Sequence, residues 1–130
     1  MQINQLHPLF VGEIIGLDTS APVTPDTIQA VEDAMAKYAV CVIRNASLRD
    51  EDHIRFSRAF GPLELPPPGG KRIAPELYDI SNLDANGEIR QPAPGAPDPA
   101  DFERFHTDSP FNSLPTKWSL LLAYVVPPEG

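Results

Sequence analysis

The chain has 130 residues, 42% of them hydrophobic, with 16 prolines, one cysteine and a formal charge of −8 at neutral pH. An acidic balance with no run of Lys or Arg argues against a nucleic-acid partner, because phosphate binding draws on clustered cations. The hydrophobic share argues against general disorder, and no apolar run approaches the ~20 residues of a membrane-spanning helix.

The opening MQINQLHPLF lacks the charged and apolar regions of a secretory leader, and the single Cys41 has no internal disulfide partner, so a reducing cytoplasm is the expected setting. Phe10–Leu17 reads as a short strand with a glycine bend at Gly12 or Gly16. Thr24 followed by Pro25 and Asp26 is the grammar of a helix start, with an oxygen for the orphan N–H groups and an acid at the positive end of the dipole. Ile28, Val31, Met35 and Tyr38 recur at helical spacing and predict one buried stripe. Val40-Cys41-Val42-Ile43 is apolar on both faces, which predicts a central strand covered on two sides and a thiol that is core-like and inert. Ser47-Leu48-Arg49-Asp50 resembles a capping signal for a second helix running through Phe56 to Phe60 and closed by Gly61-Pro62.

From residue 62 to about 101 the chain is dominated by loops. Pro66-Pro67-Pro68-Gly69-Gly70 and the proline-rich stretch at 92–99 cannot hold a helix or a central strand, because proline lacks the N–H that each requires. Between them, Tyr78–Asn82 predicts a strand and Asp84-Ala85-Asn86-Gly87 a turn. Residues 90–101 read equally as a lid or as a plain linker. Thr116–Val126 is rich in β-formers and predicts a strand ended by Pro127-Pro128. Helices flanking apolar strands imply an α/β or α+β layer.

The chemistry concentrates in Phe105-His106-Thr107-Asp108-Ser109. On an extended segment the side chains at i and i+2 share a face, so His106 and Asp108 can reach one metal ion. An imidazole and a carboxylate are two of the three ligands of a facial triad that leaves positions open on Fe(II). Phe102, Phe105 and Phe111 would wall such a site. The plainer reading is a surface turn in which His106 bonds Asp108 or a carbonyl; another is a general base with its orienter. His7 reads as a loop residue and His53 as a solvated or half-buried helix residue. Lys71 and Arg72, a basic pair in an acidic chain, are candidates for holding an anionic substrate, with ordinary solvated charge as the alternative.

Several ordered segments together resemble the taurine/2,4-dichlorophenoxyacetate (TauD/TfdA) dioxygenases. They are Leu6-His7-Pro8-Leu9-Phe10, Val40–Asn45, Phe56-Ser57-Arg58-Ala59-Phe60-Gly61-Pro62-Leu63-Glu64, Asp79–Asn82, Phe105–Phe111, Ser119–Ala123 and Val126–Gly130. Phe105 stands where the family often has Trp. The resemblance implies an α+β, mainly β fold: a double-stranded β-helix, or jelly roll, with flanking helices. Residues 1–130 would be the N-terminal portion of a single dioxygenase domain, inactive alone. It further implies metal ligation by His106 and Asp108, with Fe(II), 2-oxoglutarate and O2 as cofactor and co-substrates and succinate and CO2 as products. A third His, and a Thr and an Arg for 2-oxoglutarate, would come from beyond residue 130. The substrate would be a small organic anion. No nucleic acid or membrane is involved, and a homo-oligomer is compatible with the sequence. The competing expectation is a non-catalytic fragment or interaction module.

Overall fold

In the computed structural model, which describes residues 1–65, 72–81, 83, 86–89, 106–109 and 112–126, the chain divides into two units. One comprises Met1–Leu65 with Leu120–Gly130, the other Pro66–Ser119. The first holds β1 (Gln2–Gln5), β2 (Gly12–Ile15), α1 (Pro25–Tyr38), β3 (Cys41–Ile43) and α2 (Asp50–Arg58). The second holds β4 (Arg72–Ala74) and β5 (Leu77–Tyr78). No described helix is long and apolar enough to cross a membrane.

Helix α1 begins and ends at the residues its local signals require. Thr24 is extended and its side chain accepts from the Thr27 N–H, Pro25 occupies the first turn, and the Ala39 N–H closes the last turn on the Met35 carbonyl. The buried face is Val31, Ala34 and Tyr38. Ile28 and Met35 are only half-buried, so the expected stripe is rotated slightly towards Ala34. The small Ala34 side chain lets the helix approach closely, which a reading weighted to large apolar residues overlooks.

The sheet of the first unit runs β1-β2-β3, antiparallel between β1 and β2 and parallel between β2 and β3, with α1 as the crossover. The centre is therefore β2, whose Ile14 is 2% exposed, and not Val40–Ile43. Residues of β3 are half-buried, Val40 is exposed, and among the described residues β3 is paired on one edge only. β1 has a polar sequence, QINQ, that gives no apolar alternation; it exists through its ladder with β2. Gly12 lies under the Tyr38 ring, and a Cβ built there would fall 2.8 Å from Cδ2 and 2.9 Å from Cγ of Tyr38. Only glycine allows that approach.

The start of α2 departs from the expected capping. Arg49 is the N-cap without a side-chain cap bond. Ser47 is recruited elsewhere: its Oγ donates to Asp52 Oδ2 at 2.6 Å, and its N–H donates to Thr19 Oγ1 at 2.8 Å. Arg55 then joins Asp52 Oδ1 at 2.6 Å to the carbonyls of Thr19 and Ser20. Asp52 and Thr19 are buried, so this network ties α2 to the loop before α1. The Ser47 hydroxyl, then Arg55, hold the Asp52 carboxyl below its ordinary value near 3.8. Because the folded-state value is depressed, this stabilisation is complete above that ordinary value and is lost as pH falls through the depressed one. Acid titration of Asp52→Asn should therefore show a shallower loss of stability below pH ~4 than the unsubstituted chain; an unchanged acid limb would show that the network does not couple to folding.

In the second unit, β4 and β5 form a short hairpin, and Leu83 bridges Ile89 around a turn in which Gly87 has φ +80. The expected strand at 78–82 is thus confined, among described residues, to Tyr78 at its start, and the expected turn at 84–87 is present at Asn86 and Gly87. The strand expected over Thr116–Val126 does not form. A strand is a ladder, and among the described residues none pairs with this run. Leu121 and Val126 are exposed, and Val125 is 89% exposed. Instead the run is held to α2 by polar contacts, the Tyr124 hydroxyl to Asp50 Oδ1 and the His53 ring to the Leu120 backbone.

Candidate metal centre

His106 and Asp108 face one another without a strand to align them. Residues 106–109 carry no ladder, yet His106 Nε2 lies 3.3 Å from Asp108 Oδ1. The segment bends at Asp108 and Ser109, and the two side chains nevertheless meet. Immediately afterwards Ser109 adopts a left-handed conformation, φ 50, and its carbonyl accepts from the Asn112 N–H at 3.1 Å. A non-glycine residue there is uncommon, and such strain concentrates at sites that need a particular side-chain aim. Both side chains are open to solvent, 61% for His106 and 50% for Asp108.

The remaining Asp108 oxygen is also engaged. Oδ2 accepts a hydrogen bond from Ser119 Oγ, eleven residues further along. Sequence spacing offered no pointer to Ser119, because the contact depends on how the intervening loop returns. Trp118, beside it, is half-buried, with Lys117 Nζ 4.4 Å from its ring centre.

The donor set suits a divalent first-row metal. Two donors at about 2.1 Å on adjacent corners of an octahedron lie about 3 Å apart, close to the 3.3 Å between His106 Nε2 and Asp108 Oδ1. Among the described residues no group of three His, Cys, Asp or Glu side chains converges. His7 and His53 belong to the other unit. His7 sits in a loop, its Nδ1 accepting from the Leu9 N–H and its ring 4.7 Å from that of Phe10. His53 is a half-buried residue of α2, and burial pushes its pKa down despite the Leu120 backbone and Asp50. Half-burial likewise pushes the Cys41 thiol up, away from the thiolate, as expected of an inert cysteine.

Lys71, Phe102, Phe105 and Phe111 lie outside the described residues. Arg72 contributes backbone to β4 opposite Tyr78, and its side chain is outside the described set.

The comparisons with known proteins converge. The chain is 35% identical over 140 residues to an alpha-ketoglutarate-dependent 2,4-dichlorophenoxyacetate dioxygenase from a Burkholderia species, covering 100% of this chain and 46% of that protein. It is 33% identical over 134 residues to the enzyme of the same description from Cupriavidus pinatubonensis, covering 98% of this chain and 46% of that one. The chain thus spans under half the length of the curated relatives it matches. A solved Burkholderia xenovorans structure ascribed to the alpha-ketoglutarate-dependent taurine dioxygenases superimposes with a TM-score of 0.55 at 30% identity, over 59% of this chain and 28% of that one. The family model described as "Taurine catabolism dioxygenase TauD, TfdA family" matches residues 2–130, and the chain belongs to that family.

Proposed function

We propose that the whole protein is an Fe(II)- and 2-oxoglutarate-dependent dioxygenase that hydroxylates a small organic anion, and that this chain supplies two of its metal ligands, His106 and Asp108. The observation that carries the proposal is the 3.3 Å approach of His106 Nε2 to Asp108 Oδ1 in a chain of this family. The relatives' named substrate, 2,4-dichlorophenoxyacetate, is an aryloxyacetate carboxylate, which supports an anionic substrate class. Family membership supports a jelly roll as the fold of the complete domain, with the mixed sheet and helices of the first unit flanking it.

The chain's own residues contribute binding and charge. The His106 imidazole would offer a nitrogen lone pair, and the Asp108 carboxylate an oxygen that offsets part of the metal's charge. His106 and Asp108 would together hold the metal from this chain. When bound, Fe(II) with 2-oxoglutarate and O2 supplies the oxidation of a substrate C–H to C–OH, one oxygen atom entering the product and the other entering succinate as CO2 is lost.

Calorimetric titration of 2-oxoglutarate into the whole protein, with and without Mn(II) in place of Fe(II), tests this reading. Binding should require the metal, and the Fe(II) form should release succinate when aryloxyacetates, sulfonates or sulfate esters are offered. Metal-independent binding, or none, would contradict it.

A further inference from the structure

We infer that Ser119 is a positioning residue that makes Asp108 a one-oxygen ligand. The inference rests on the metal-binding reading of His106 and Asp108.

An ionised carboxylate has two equivalent oxygens, and rotation about the aspartate χ2 is broad and two-fold, so a half-exposed Asp108 has no intrinsic preference for which oxygen it presents. A divalent metal can take one oxygen or chelate both. Here the two oxygens are made unequal. Oδ2 is engaged by the Ser119 hydroxyl, while Oδ1 is the oxygen beside His106 Nε2 at 3.3 Å. The hydroxyl has a single proton to donate, and it is directed at the oxygen turned away from the imidazole. The left-handed Ser109 and its turn to Asn112 fix the backbone that follows Asp108, so the carboxylate is held from its own chain and from Ser119 together.

Held this way, Asp108 would occupy one coordination position of a bound metal rather than two. A chelating carboxylate with two His ligands would fill four of six octahedral positions and leave two, just enough for a bidentate 2-oxo acid and none for oxygen. A one-oxygen Asp108 leaves three. Ser119 therefore sets how many co-substrate atoms the metal can accept, and it also orients the ligand before the metal arrives, a role whose loss typically weakens metal affinity about 10–100-fold.

The experiment is a Mn(II) titration of the whole protein, followed by loss of the free-ion paramagnetic resonance signal, for the unsubstituted protein, Ser119→Ala, Ser119→Thr and Asp108→Ala. It is repeated with 2-oxoglutarate at saturating Mn(II). Ser119→Ala should weaken Mn(II) binding by about 10-fold or more and also weaken 2-oxoglutarate binding to the loaded protein. Ser119→Thr, which keeps the hydroxyl, should restore both. If Asp108→Ala loses Mn(II) while Ser119→Ala binds as tightly as the unsubstituted protein, the positioning role is overturned and the metal reading stands. A Thr variant as weak as the Ala variant would overturn it too, since the hydroxyl would then not be the determinant. Asp108→Ala with unchanged Mn(II) affinity would overturn the metal reading and this inference with it.

Discussion

Asp108→Ala in the whole protein is expected to lower Fe(II)-dependent succinate release by more than about 100-fold, beyond what loss of an outer-shell partner costs. The substitution removes one of two donors that this chain places together, and with it the only anionic one of the pair. His106 would then be the single donor this chain brings to the ion, and no ligand from this chain would offset its charge. Asp108→Asn is the sharper comparison: it keeps the shape and a carbonyl oxygen but removes the charge, and it should fall close to the Ala variant. Because Asp108 is half-exposed, both variants should unfold at the same denaturant concentration as the unsubstituted protein. Activity within a few-fold of normal in either variant would return His106 and Asp108 to the status of a surface turn.

The second large effect concerns the contact between α1 and the sheet. Tyr38 is buried, and its ring occupies the space a side chain at Gly12 would enter. Tyr38→Ala should cost about 3–5 kcal/mol, as truncation of a buried aromatic does. That is a large fraction of the total stability of an ordinary domain. Gly12→Ala should cost about 1–3 kcal/mol by overpacking, because the neighbour is the root of a ring rather than the tip of a flexible chain. The two losses should not add. With the ring gone, the methyl at residue 12 meets only the flexible Ile3 side chain, whose Cγ2 lies 3.2 Å from it, so the double variant should be nearly as stable as Tyr38→Ala alone, and equilibrium urea unfolding of the four chains measures the coupling. Additive losses would show that the ring does not rest on Gly12.

How much of this was legible depends on whether the determining interaction is local. The start of α1 could be read because Thr24 and Pro25 act within the first turn. The start of α2 was misread because Ser47, a good cap by residue type, is bound to Asp52 and Thr19 in a network that joins distant positions. β1 was missed since its polar residues form a strand only through β2, and Val40–Ile43 was placed at the centre because apolar content does not reveal which strand has two neighbours. The run at 116–126 shows the same limit from the other side: strong β-propensity without a paired strand leaves exposed apolar chain. The convergence of His106 and Asp108 was legible from their i, i+2 spacing, although the chain bends at Asp108 rather than running on as a strand. Ser119 was not, because its approach to Asp108 is set by an eleven-residue return.

The most direct measurement is anomalous scattering at the manganese edge from crystals of the whole protein grown with Mn(II). The account predicts one strong peak bonded to His106 Nε2 and to a single oxygen of Asp108, with the other oxygen still on Ser119 Oγ. A peak elsewhere, or His106 and Asp108 hydrogen-bonded to each other with no metal between them at saturating Mn(II), would contradict it.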